Sequence, residues 1–242
     1  MSGHSKWSTI KRKKEATDGK RAKIFTKIGR EIAVAVKEGG ADPASNSKLK
    51  DCIAKAKANN VPNDNVERII KKASGGDDRN DYEEIVYEGY GPCGVAVMVE
   101  TLTDNRNRTA GDLRHYFDKN GGNLGQTGSV SFMFEPKGVI VIENTGIAEE
   151  KIFEDAMIDG VIEMEYTEEM IMIQTEPSAL AQVRDALDAL GYKFASAEVE
   201  YLATSNTSIP DPDMLIKMQR LLDMLEDNDD VQEVWHNCDN LE

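Results

Sequence analysis

The hydrophobic period of this chain first turns from helical to strand-like at Gly75-Gly76, and the sign of its charge changes at the same border. From Arg21 to the border apolar residues recur every three to four positions; after it segments with the shorter period of strands appear between helical ones, and a segment patterned for one cannot settle as the other. Residues 1–76 carry 18 Lys and Arg against 8 Asp and Glu, a formal +10, whereas residues 77–242 carry 11 against 36, a formal −25. The chain must therefore build a basic helical part and an acidic mixed part, joined near "ASGGDDRNDYEE". The first attracts polyanions; the second repels them and fixes which side faces a target.

Residues 1–20 lack a helical period and read as a loop or a mobile arm, with Trp7 and Ile10 as its only large apolar contacts. From Arg21, the spacing of Ile24, Phe25, Ile28, Ile32, Ala35 and Val36 predicts a helix stopped by Gly39-Gly40. A second helix starts near Ser47, and a third opens on a capping box, Asp64 to Glu67, and stops at Gly75-Gly76. Past the border, "EEIVYEGYGPCGVAVMVETLT" reads as two strands around a Gly-Pro turn, "TAGDLRHYFDKNGG" as a helix and "SVSFMFE" as a strand. From "KGVIVIE" to "FASAEVEYLA" the order is β-α-β-β-α-β, that of a ferredoxin-like split βαβ module. The last helix and strand, "PDMLIKMQRLLDMLED" and "VQEVWHN", are too few to stand alone and complete the earlier run. The expectation is an α+β chain of three domains. They are a basic helical bundle with its arm (1–76), a discontinuous α/β domain (77–136 plus 206–242), and an inserted ferredoxin-like domain (137–205).

Composition narrows the function classes. No run of 18 apolar residues offers a membrane span, and the first residues lack a secretory apolar stretch. Glu15 and Asp18 interrupt the basic run that a mitochondrial presequence would need, so the chain reads as cytoplasmic and retained whole. Cys52, Cys93 and Cys238 are odd in number and form no CxxC pair, which favours free thiols over disulfides or a zinc site. His236 and Cys238 are two ligands, too few for a metal. "GGNLGQTGS" lacks the Gly-Lys-Ser/Thr ending of a phosphate loop and leads into a strand, so it reads as a flexible connection. Neither GxSxG nor HExxH occurs, and the residues give no case for catalysis, a cofactor, a metal or a small-molecule substrate.

The candidate site is a nucleic-acid contact. Lys6, Lys11, Arg12, Lys13, Lys14, Lys20, Arg21, Lys23 and Lys27 are placed to meet phosphates, with Lys71 and Lys72 on the third helix, while His4 and Trp7 can stack on bases. With few apolar neighbours along the arm, Trp7 is expected to be exposed in the unbound protein, the alternative being a staple onto the bundle. Arg106 and Arg108, in a strand-to-helix loop, admit two readings: a contact to phosphate or a partner, or charges that balance nearby carboxylates while Asp104 and Asn105 turn and Thr109 caps.

"GHSKW" (3–7), "KRAKIFTKIGREI" (20–32), "AKANNVPNDNVERIIKKA" (56–73), "YEGYGPCGVAVMVETLTDNRNRT" (87–109) and "GSVSFMFEPKGVI" (128–140) together closely resemble the YebC family. That family includes bacterial proteins described as transcriptional regulators and a mitochondrial translational activator. The resemblance implies three domains, the second interrupted by the third, with no cofactor and no enzymatic reaction. It also implies that Gly3, His4, Ser5, Lys6 and Trp7 contact RNA or the ribosome. Where members often carry Met-Pro, this chain has Val61-Pro62, a change that touches packing only. Two functions follow. One is a ribosome-associated translation factor, helping elongation through difficult stretches such as consecutive prolines; the other is a regulator reading duplex DNA. The basic helices hold mostly Lys, which grips phosphates, and few of the Arg, Asn or Gln that read bases, "NNVPNDN" excepted.

Overall fold

The computed structural model describes Trp7, Ile10, Lys11 and residues 18–75 and 81–241, with the side chains of Asp18 and Lys20 left aside. The architecture is α+β and divides into two compact units.

The larger unit runs over Ala16–Met133 and Ser205–Leu241. It opens with helices α1 (Asp18–Gly39), α2 (Ser47–Ala58) and α3 (Asn63–Ser74). Their stripes meet in a core of Ile28, Ile32, Ala35, Val36, Leu49, Cys52, Ala56, Val61, Val66 and Ala73. The α1–α2 corner is held by Asn46, whose buried side chain accepts from Leu49 N at 3.0 Å and donates to the Ala35 and Gly40 carbonyls at 2.7 and 2.8 Å. Gly40, at φ +87°, takes the left-handed turn that ends α1. Helix α3 begins one residue before the expected box, after Pro62, and no side chain caps it; Asp64 lies inside the first turn, so Asp64–Glu67 is not a capping box.

The same unit holds an antiparallel sheet of order β3-β1-β2-β8, built from β1 (Glu83–Tyr90), β2 (Ala96–Thr103), β3 (Asn123–Leu124) and β8 (Val231–His236). Helices α4 (Arg106–Lys119) and α7 (Pro212–Glu226) cover one face, burying Val95, Val97, Val99, Leu113, Phe117, Met218, Leu221, Leu222 and Leu225. The last helix and strand thus complete the earlier sheet: β8 pairs with β2, Met98 opposite Trp235.

The second unit contains Trp7, Ile10, Lys11 and Phe134–Thr204. It is the ferredoxin-like module: β4 (Phe134–Glu143), α5 (Glu149–Asp155), β5 (Val161–Tyr166), β6 (Met170–Thr175), α6 (Leu180–Ala189) and β7 (Phe194–Ala203), in sheet order β5-β6-β4-β7. Two strands expected at "SVSFMFE" and "KGVIVIE" are one: β4 pairs with β7 from Phe134 to Ile142, straight through Pro136, and Ser131–Met133 form a 3-10 turn before it. The fourth strand of the first sheet is instead the two-residue β3, inside the segment read as a flexible connection.

Candidate nucleic-acid interface

Helix α1 sends a stripe of three cations, Lys23, Lys27 and Arg30, toward the end of α7 and the acidic turn after it. Lys23 bonds the Asp227 side chain at 2.5 Å and its carbonyl at 3.1 Å, and Lys27 bonds the Glu226 carbonyl at 2.7 Å. These are the last carbonyls of a helix, where the dipole favours cations. Two of the expected phosphate contacts, Lys23 and Lys27, are therefore engaged within the protein by "LEDNDD". Arg21 is exposed. His4, Lys6, Arg12, Lys13 and Lys14 lie outside the described residues, as does the side chain of Lys20.

Arg30 leads to a carboxylate hub. Asp230 is 4 % exposed; its Oδ1 accepts from Arg30 Nη1 at 2.8 Å. Its Oδ2 accepts from Arg108 Nη2 at 2.7 Å and Nε at 3.3 Å, from the Thr109 hydroxyl at 2.9 Å and from the Thr103 hydroxyl at 3.3 Å. Burial would push this carboxyl up, but the hydrogen bonds from Arg108, Arg30 and Thr109 and the Arg108 charge outweigh it and hold it below the ordinary value. The geometry gives Arg108 to this hub and to Asp104, at 2.8 Å, and not to an open phosphate site. Helix α4 is capped by Asn105, which accepts from Arg108 N at 3.1 Å, while Thr109 turns to Asp230. Arg106 stays exposed and is not brought to Arg108's site.

Lys55 is also withdrawn from solvent. It bonds Glu31 at 3.0 Å and lies 3.6 Å from Glu233, which pairs across β2 and β8 with Glu100. Burial, then the charge and hydrogen bond of Glu84, raise Glu100 well above the usual carboxylate range.

What stays on the surface is a second basic group. Lys50 and Lys57 are exposed two turns apart on α2, and Arg68, Lys71 and Lys72 are exposed on one side of α3, against Asp51, Asp64 and Glu67 on the same helices. Sequence reading singled out Lys71 and Lys72 and passed over Lys50, Lys57 and Arg68. The available signal was their alternation with the buried Leu49, Cys52, Ala56, Val66 and Ala73.

Trp7 overturns an expectation. Its side chain is 5 % exposed, not open to solvent, and it packs with Ile10 against Val139 and Val141 of β4 and Met170 and Met172 of β6. Its Nε1 donates to Glu169 Oε2 at 2.8 Å, and Lys11 donates to the same oxygen at 2.7 Å while standing 5.7 Å from the indole centroid. Trp7, Ile10 and Lys11 are helical, in a stretch read as an arm without helical period. An indole seated there offers no face for base stacking.

The glycine loop already holds an anion of its own. The Glu88 carboxylate, 4 % exposed, accepts from the backbone N–H groups of Gly128, Val130 and Ser131 at 2.7, 2.8 and 2.8 Å. Burial opposes that charge, yet the three bonds keep the carboxyl below its ordinary value. The loop's backbone N–H groups at Gly128, Val130 and Ser131 are thus given to Glu88 and not to a phosphate. Among the described residues no group of three His, Cys, Asp or Glu is placed to hold a metal ion, and no helix is long and apolar enough to cross a membrane.

A basic helical bundle joined to two acidic antiparallel sheets, one of them ferredoxin-like and inserted in the sequence of the other, defines a charge-segregated α+β class. The chain belongs to the TACO1/YebC family: residues 5–76 match the TACO1/YebC protein N-terminal domain, and residues 82–238 match the TACO1/YebC second and third domain. A probable transcriptional regulatory protein of Ruminiclostridium cellulolyticum is 58 % identical over 94 % of this chain and 92 % of its own length. Another from Finegoldia magna is 55 % identical over 99 % and 100 %. The crystal structure of a conserved hypothetical protein from Aquifex aeolicus superposes with a TM-score of 0.84, at 42 % identity over 93 % of both chains.

Proposed function

We propose that this protein is a non-enzymatic, nucleic-acid-binding regulator of gene expression that acts on RNA in the translating ribosome. The observation that carries the reading is the exposed group Lys50, Lys57, Arg68, Lys71 and Lys72 on α2 and α3, kept on the surface of a chain of net charge −15. Four of the five are lysines, point charges that hold phosphates without reading bases. Such contacts follow backbone shape, as expected for structured RNA. The names of the relatives support a regulator of gene expression.

A duplex-DNA reading is favoured by those same names and by two exposed amides at the start of α3, Asn60 and Asn63. Asn60 sits at φ 56°, in the left-handed turn that ends α2, with its N–H bonded to the Lys57 carbonyl. The discriminating experiment is co-sedimentation with ribosomes beside duplex-DNA binding in identical buffers at several salt concentrations. The RNA reading expects ribosome binding that outlasts DNA binding as salt rises. Sequence-selective duplex binding, weakened by Asn60→Ala and Asn63→Ala, would replace it with the transcriptional reading.

A further inference from the structure

Strands β4 and β6 are apolar on both faces. Ile140, Ile142, Ile171 and Ile173 pack under α5 and α6, as expected for a ferredoxin-like module, and the opposite face presents Val139, Val141, Met170 and Met172. Such strands need a second cover. Trp7 and Ile10 supply it.

The surround of that face is acidic. Glu198 is the cross-strand partner of Val139, Glu143 of Met170 and Glu165 of Met172, and paired residues share a face. Glu169, beside Met170, takes both the Trp7 indole N–H and the Lys11 ammonium. An apolar centre ringed by carboxylates is thus occupied by Trp7 and Ile10, with Lys11 at its edge, and the sequence continues from there as Arg12, Lys13, Lys14. Those are the charges that a phosphate backbone would attract.

We propose that this face is a docking site for the chain's own basic amino-terminal segment, and that nucleic acid competes with it for that segment. The carboxylates stand where phosphates would, and Trp7 is the apolar anchor. A phosphate that takes Lys11 removes the cation that shares Glu169 with Trp7, and the indole then leaves the sheet. The inference rests on the nucleic-acid reading proposed above and adds a regulated step to it: the segment is withheld until a polyanion is present.

The test uses the full chain labelled with fluorotryptophan, its Trp7 signal assigned with Trp7→Phe and its exposure read by fluorine NMR with a soluble paramagnetic quencher. The probes are a structured RNA and a duplex DNA of equal length. In the protein alone Trp7 should be shielded, and saturation with RNA should expose it. Glu169→Gln, at a side chain 60 % exposed, should raise the exposed fraction of Trp7 without RNA and tighten RNA binding by about fivefold, the weight of one partly exposed charged contact. RNA binding that leaves Trp7 shielded, or an unchanged affinity in Glu169→Gln, would overturn the competition while leaving the nucleic-acid reading intact. If neither probe binds wild type or variant, the nucleic-acid reading fails and the competition with it.

Discussion

Replacing Asp230 by alanine removes the carboxylate between two guanidinium groups. The Arg30 side chain is 18 % exposed and would keep neutral partners, the Asp229 and Leu102 carbonyls at 2.7 and 3.3 Å and the Tyr82 ring, whose centroid lies 5.4 Å from the guanidinium carbon. Arg108, 45 % exposed, would keep Asp104 and water, so its share of the loss is small. Thr109 retains the Asn105 carbonyl at 3.2 Å. Breaking a buried pair costs about 3–5 kcal/mol when the remaining charge stays buried, and the half-open Arg108 puts this case near 3 kcal/mol. For a chain of this size that lowers the melting temperature by about 6–12 °C. Thermal unfolding followed by circular dichroism at pH 7 measures it. Because the folded pKa of Asp230 lies below its ordinary 3.8, the contribution is full above that value and lost as pH falls through the folded pKa. The gap between wild type and Asp230→Ala should therefore close under acid. A melting temperature within about 2 °C of wild type at pH 7 would show that the hub is not what fastens Arg30 to the sheet.

Other consequences follow from the same contacts. Asn46→Ala deletes a helix cap and two side-chain bonds to carbonyls, and should destabilise by about 2 kcal/mol in urea unfolding. Lys23→Ala with Lys27→Ala should cost about 1 kcal/mol of stability and leave nucleic-acid affinity unchanged in a filter-binding assay, since both cations face the end of α7. Cys52 is buried and its thiol is pushed up to about 12 by that burial and then by Glu31, whereas Cys93 is exposed; brief maleimide treatment of the folded protein should label Cys93 alone by mass spectrometry.

Much of the fold was legible because local periodicity carries it. The three basic helices, the β-α-β-β-α-β order and the return of the last strand follow from spacing and from the shortage of partners for "VQEVWHN". Failures came where a distant residue decides the outcome. Arg30 and Asp230 stand 200 residues apart, so no spacing announces the hub that takes Arg108 from the candidate phosphate site. Trp7 looked exposed because neighbours were sought along the arm, whereas its neighbours lie on β4 and β6. A signal was present: "GVIVI" and "MIMI" are apolar at every position, which demands cover on two faces, while the module's two helices cover one. The two strands read at "SVSFMFE" and "KGVIVIE" flank Pro136, a residue that cannot donate to a ladder, yet β4 continues through it opposite Tyr201.

The central claim is that the exposed lysines of α2 and α3, and not the paired cations of α1, hold nucleic acid. The direct measurement is the dependence of log K on log salt for a structured RNA, in wild type and in Lys71→Ala with Lys72→Ala. Removal of two phosphate contacts should flatten the slope by about 1.4 with single-stranded character and about 1.8 with duplex character, and should weaken binding at low salt. An unchanged slope in that variant, together with a flatter one in Lys23→Ala with Lys27→Ala, would contradict the account.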